Sequence, residues 1–404
     1  MIKKIAQLAL IAFISFVLSG CTAVKSVVTF SLITFKAKNF KTEIPFNQLY
    51  SLIQLKAGLN GSNDRYDFVF DTGAGATAIS KKIADSLKLK KIGEITVRDA
   101  LGNKKVNDVV RIPELDMNGL KFYDLGAVVE EFGKYSPVNC IGKDGIIGVN
   151  IISCCNWTID YQNKKLTATD SSLNFPPTAI SLPFKSDVPF IDLTIGKTVL
   201  HHVMVDLGSN ESVTIPESVL KQNPGINLGH SQCRKIDANT QGINGPKEDT
   251  AMVCISDSIK LDGSLYSHIR VATASSYLLK IGADFWDKNL VGIDYHNRKI
   301  FLVKNPAAQQ KNKLRGFGFR IGIKDDKYYV NLVFEHSPAA NSGIKINDEV
   351  EAVNGTPVNR FFGDYCGLMS WEANIMDEQK EMNIKLKESG QTIYLKRSDY
   401  GTVE

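Results

Sequence analysis

A chain of 404 residues with 43% hydrophobic and 23% charged side chains has the composition of folded globular protein and exceeds the usual size of one domain. Two or three compact units, each with its own core, are therefore expected. The formal charge of +5 includes Lys3 and Lys4 of a leader-like segment, and a balance this small does not make nucleic acid an expected partner.

Residues 1–20 carry two lysines and then an apolar run, Ile5 to Val17, which is too short for a permanent span and has the form of a signal segment. It ends Leu18-Ser19-Gly20-Cys21, which resembles a bacterial lipobox. The resemblance implies cleavage before Cys21, lipidation of its thiol and a protein held on a membrane of the cell envelope, facing the periplasm. Buried acyl chains contribute about 0.8 kcal/mol per CH₂, so a multiply acylated Cys21 anchors a soluble body firmly. Residues 21–41 read as a tether.

Residues 42–169 read as a first lobe made mostly of strands: Ser51 to Leu55, Tyr66 to Phe70, Ile95 to Val97, Leu125 to Val129 and Trp157 to Tyr161. One helix is expected at Lys81 to Leu87, where Ile83 and Leu87 share a face and Ser80 can cap. Residues 170–186, with three prolines between Ser171 and Phe184, read as a connection. Residues 187–304 repeat the order of the first lobe, with a helix starting near Pro216. Residues 305–313 read as a linker and 314–404 as a third unit.

The repeat is explicit in two places. Phe68-Val69-Phe70-Asp71-Thr72-Gly73-Ala74 is answered by Val203-Met204-Val205-Asp206-Leu207-Gly208-Ser209. After nearly equal spacing, Gly145-Ile146-Ile147-Gly148 is answered by Leu278-Leu279-Lys280-Ile281-Gly282, and each lobe closes on a hairpin with an Asn-bearing turn. A single Asp-Thr-Gly triplet has the bland reading of a turn aspartate capping its own loop, and the in-register second copy argues against that reading.

These duplicated turns resemble the retropepsin/pepsin type of aspartic protease, with both lobes in one chain, over about Thr42 to Val303. The resemblance implies an all-β dominated fold of two pseudo-two-fold-related β-barrel lobes, with Asp71 and Asp206 as a catalytic dyad. Two carboxyls sharing one site hold one proton between them, so one can activate water while the other donates to the scissile carbonyl. No metal, cofactor or covalent intermediate is required. Thr72, Gly73, Gly208 and Ser209 are the expected supporting residues, with Thr72 bonding across the lobe boundary. Leu207 departs from the pattern, since Thr or Ser is usual there, and makes that brace one-sided. A hairpin tip at Ala100, Leu101 and Gly102 is the expected flap, with Lys235 to Lys247 as its counterpart.

In the third unit, Gly316-Phe317-Gly318-Phe319 followed by Ser337-Pro338-Ala339-Ala340 and Val353-Asn354-Gly355 resembles a PDZ domain, which adds α+β content to the fold. The resemblance implies that a peptide C-terminus adds beside Phe319 to Ile321, its carboxylate held by backbone N–H groups around Phe317 to Phe319. A helix over Cys366 to Met376 is expected to line the groove.

Seven cysteines include Cys21, and an exported compartment permits the other six to pair. Cys233 with Cys254 is the favoured pair, because both lie in one predicted hairpin region, and Cys140 with Cys154 or Cys155 comes next. Zinc is the poorer reading, because no CxxC pair is present and the histidines form no ligand array. Trp157, Trp286 and Trp371 read as core, and His201 with His202 as structural or exposed.

The function expected is a membrane-anchored aspartic endopeptidase acting on protein or peptide substrates, with the PDZ unit recruiting or gating them. A bell-shaped rate profile centred below neutrality goes with it. The alternatives are a catalytically silent peptide-binding scaffold, which Leu207 favours, and an assembly lipoprotein.

Overall fold

The computed structural model describes residues 33–98, 104–228, 233–242, 245–275, 277–305, 314–374 and 376–400. Cys21 and the flap tip Ala100, Leu101 and Gly102 lie outside the described residues. Strands dominate throughout, and among the described residues no helix is long and apolar enough to cross a membrane.

In the first lobe, alternation of buried and exposed side chains drives strands Lys41–Leu49 and Lys104–Met117 into a sheet with one apolar face. Strand Leu52–Leu59 is buried along most of its length, as is Tyr66–Phe70, which leads into Asp71. Fully burying side chains such as Phe68 and Phe70 contributes about 1.5 to 3 kcal/mol each. The expected helix is Lys81–Ser86, and Ser80 Oγ caps it by accepting from Ile83 N at 3.3 Å.

Each lobe is organised by the same pairing. Tyr66–Phe70 runs parallel to Gly145–Ile147, with Val69 opposite Ile146, and Thr198–Asp206 runs parallel to Lys280–Gly282, with Met204 opposite Lys280. Strand Ala78–Ser80 then lies antiparallel to the first Gly step, and Val213–Pro216 lies antiparallel to the second. The helix predicted near Pro216 is Glu217–Gln222.

The closing hairpins join the lobes. Asn156–Asp160 pairs antiparallel with Asn289–Asp294, placing Trp157 opposite Ile293 and Ile159 opposite Val291. Lys165–Thr169 and Lys41–Leu49 continue the sheet on one side, and Lys299–Lys304 and Ile180–Pro183 on the other. Ile180–Pro183 lies inside the segment read as a plain connection. Both hairpins turn alike: Asp160 Oδ1 accepts from Asn163 N at 2.9 Å, Asp294 Oδ1 accepts from Asn297 N at 2.8 Å, and Lys164 and Arg298 take positive φ. Trp157 and Trp286 are buried in the core that spans both lobes.

The third unit is divided among three sheets, the smallest being the pair Arg315–Gly316 with Ser398–Asp399. Val350–Val353, Glu381–Leu386 and Thr392–Lys396 form most of a small sheet of their own. Phe319–Lys324 and Lys327–Phe334 instead extend the second lobe's sheet, because Lys327–Phe334 pairs with Cys233–Gly242. Phe319–Lys324 ends that sheet.

Disulfide Cys233–Cys254 closes the hairpin as expected, but Cys140 bonds Cys366 rather than Cys154 or Cys155. Cys154 and Cys155 are free of disulfides, and burial pushes both thiols up. Cys140 is drawn to Cys366 because the helix Tyr365–Asn374 lies directly on the first lobe.

Candidate active site

The two aspartates occupy equivalent places at the ends of equivalent strands. Asp71 is fixed by its own amide, which donates to Ile147 O at 3.0 Å, and its Oδ1 accepts from Gly73 N at 2.7 Å and Ala74 N at 3.2 Å. Asp206 Oδ1 accepts from Gly208 N at 3.1 Å. Each carboxyl is therefore held by the tight turn that follows it.

The glycines also show where those carboxyls point. A Cβ on Gly73 would lie 2.7 Å from Cγ of Asp206, and one on Gly208 would lie 2.2 Å from Cγ of Asp71. Each carboxyl thus packs against the turn of the opposite lobe, and the two aspartates face each other across the lobe boundary.

Thr72 is fully buried and makes a brace that is one-sided, as expected with Leu207 opposite it. Its Oγ1 donates to Val205 O at 2.7 Å and accepts from Leu207 N at 3.0 Å. The second bond uses a backbone amide, so the brace does not need a hydroxyl at position 207, and Leu207 is spent on the core. Ser209, the other expected support, donates through Oγ to Glu211.

A further layer escaped the sequence reading. Six residues after Asp71, Thr77 donates to Asn150 Oδ1 from both N and Oγ1 at 2.8 Å, and its Oγ1 accepts from Gly148 N at 3.2 Å. Six residues after Asp206, Ser212 Oγ donates to Asp284, and Ser212 O accepts from Gly282 N at 2.8 Å. These residues tie each aspartate turn to its Gly step, Thr77 through its hydroxyl and Ser212 through its backbone carbonyl. The matching offset of six residues is the signal that could have found them.

Electrostatically the pair is unequal. Burial, reinforced by the charge of Asp206, pushes the Asp71 carboxyl up to about 8. Asp206 has a cation beside it: Lys280, itself buried, places Nζ 3.1 Å from Asp206 Oδ2 and 3.8 Å from Glu211 Oε2. Burial works against the Lys280 ammonium, but Asp206 and Glu211 outweigh it and leave its affinity for the proton raised. Lys280 falls within the second Gly step, where the sequence reading gave it no role.

The pair opens into a cleft of about 1320 Å³. Its walls include Ile95, Val97 and Arg98, which flank the expected flap, and its roof comes from the third unit, through Arg320, Leu368, Met369 and Glu372. Met369 packs with Leu52, Val69, Ile141 and Ala283, and Tyr50 Oη donates to Met369 O at 2.8 Å. Among the described residues, no group of three His, Cys, Asp or Glu side chains could hold a metal ion.

In the third unit, Gly318 takes φ +79°, and a Cβ there would lie 2.0 Å from Cβ of Ser337, so this turn requires glycine. Gly318 O accepts from Phe334 N at 2.8 Å, and Phe317 O from Ala339 N at 3.0 Å. Gly316 has φ +140°, and Phe317 and Phe319 are buried. Ile321 N donates to Glu372 Oε1 at 2.8 Å, joining the end strand to the helix beside it. Trp371 is buried in this unit's core, whereas His201 and His202 are exposed.

The chain was also compared with known proteins. Residues 55–151 match the model of the aspartyl protease family, a stretch that contains Asp71 and its Gly step and stops short of Asp206. Residues 307–363 match the model of the PDZ domain. No curated protein matches the chain. With two strand-rich lobes that place their aspartates face to face, the chain carries an aspartyl protease domain followed by a C-terminal PDZ domain.

Proposed function

We propose that the protein is an aspartic endopeptidase, tethered to a membrane through lipidated Cys21, whose PDZ domain gates access of protein substrates to the cleft. The observation that carries this reading is the pair of glycine contacts: each turn leaves just enough room for the other lobe's carboxyl. Such a pair shares one proton, so a water between them can be deprotonated by one carboxylate while the other carboxyl protonates the carbonyl oxygen. The tetrahedral intermediate then collapses as a proton passes to the leaving nitrogen. The raised Asp71 carboxyl moves the expected alkaline limb to about pH 8, above the acid-centred profile that the dyad chemistry alone implies.

Gating is supported by the helix Tyr365–Asn374, which roofs the cleft and is bonded to the first lobe through Cys366 and Cys140. Peptide C-termini remain the proposed ligands of the turn around Gly316 to Phe319, beside the end strand Phe319–Lys324.

The direct test is to incubate the full chain, and its Asp71→Ala variant, with an unfolded-protein mixture in ¹⁸O-labelled water. The wild type is expected to release peptides carrying one ¹⁸O in each new terminal carboxylate, and the variant to release none. Equal cleavage by both, or none by either, ends the protease reading.

A further inference from the structure

Lys280 breaks the pseudo-symmetry of the lobes by placing a charge in contact with one of the two aspartates. Its counterpart in the first lobe is Ile146, which is buried in an apolar patch with Ala78 and Val128. An ammonium at the equivalent place, Nζ 3.1 Å from Asp206 and buried, is retained only if its charge is matched. The groups that face it are Asp206 and Glu211 from its own lobe and Asp71 from the other. Asp284, nearby in sequence, is engaged with Ser212 and lies 3.9 Å from Lys288.

Two equivalent carboxyls that share a proton have no reason to prefer either arrangement. A cation against one of them removes that equivalence, because it favours the charged form of the group it touches. We propose that Lys280 is a positioning residue that assigns the roles within the pair: it holds Asp206 as the ionised carboxylate that takes the proton from water, and leaves the shared proton on Asp71, which donates it to the substrate carbonyl oxygen. This assignment rests on reading the pair as hydrolytic. In the first half-reaction the water oxygen bonds the carbonyl carbon, its proton passes to Asp206, and the Asp71 proton passes to the oxygen of the opened C=O bond. Collapse breaks the C–N bond, returns the hydroxyl proton to Asp71 and delivers the proton on Asp206 to the amine. The resting arrangement is thereby restored. The raised affinity of Asp71 for its proton agrees with this direction.

The test compares the wild-type chain with Lys280→Met, which restores the apolar character of the Ile146 position, and with Lys280→Arg, which keeps the charge. In kcat/KM against pH for a peptide substrate, Lys280→Met is expected to move the acid limb up by at least one unit, a tenfold change in the charged-to-neutral ratio. The alkaline limb should move less, because Lys280 touches Asp206 and reaches Asp71 only through space. Lys280→Arg should recover the wild-type acid limb. In parallel, carbon-13 titration of the aspartate carboxyls in the wild-type chain, with the signals assigned from Asp71→Asn and Asp206→Asn, reads the proton's location without turnover and with Lys280 in place. It is expected to find Asp71 protonated where Asp206 is ionised. A proton found on Asp206, or an acid limb unmoved in Lys280→Met, overturns the assignment. If no form cleaves peptide, the hydrolytic reading fails, while the carbon-13 titration still decides where the proton sits.

Discussion

At Gly208 a methyl group would overlap the Asp71 carboxyl from the other lobe, so Gly208→Ala must push the two turns apart. A misplacement on the order of 1 Å costs about 10²-fold, and kcat/KM should fall by at least that much in a protein that still folds. Leu207→Thr supplies the hydroxyl usual at this position in the family. Thr72 already makes the one-sided brace without it, and Leu207 is fully buried. The substitution should therefore destabilise by about 2 to 4 kcal/mol in chemical denaturation and bring no gain in rate. A rise in rate would show that the brace limits catalysis. Asp71 has a signature in stability as well. Its folded carboxyl is raised to about 8, above the unfolded value, so its contribution is fully present in acid below the unfolded value and is lost as pH rises through about 8. Asp71→Asn should gain stability over the wild type as pH rises from the unfolded carboxyl value to about 8, with no further gain above it, measured by urea unfolding at pH 5 and pH 9.

The elements that build the pair are legible because both lobes repeat them. An apolar strand, an Asp-x-Gly turn and a Gly step recur at nearly constant spacing, and each repeat resolves into the same parallel pairing. The closing hairpins, similar in sequence, pair with each other to make the sheet between the lobes. The inner layer of Thr77 with Asn150 and Ser212 with Asp284 is hard to read, because hydroxyl, amide and carboxyl side chains occur at many turns and only their matching offset marks these. Lys280 is hidden for another reason. A lysine in an apolar strand reads as an edge or a surface position, and its burial makes sense only once Asp206 and Glu211 are seen beside it.

For the whole molecule, the arrangement of the domains is the least legible feature. The PDZ domain joins the second lobe through backbone pairing of Ile236 to Ala238 with Leu332 to Phe334, and backbone edges carry no residue signature. Its bond to the first lobe links cysteines separated by 226 residues, for which no local spacing rule exists. Removing that link in a Cys140→Ser, Cys366→Ser double variant should cost about 2 to 5 kcal/mol of stability. It should also free the helix that carries Met369, raising kcat/KM for unfolded proteins several-fold and that for short peptides less. An unchanged ratio between the two substrate sizes would argue against gating by this helix. The central claim is that Asp71 and Asp206 work as one unit, and it is tested most directly by a mutant cycle on peptide hydrolysis. Asp71→Asn and Asp206→Asn should each lower kcat/KM by about 10³-fold or more, with the double variant no slower than the slower single. A single variant within tenfold of wild type, or losses that multiply in the double variant, would contradict it.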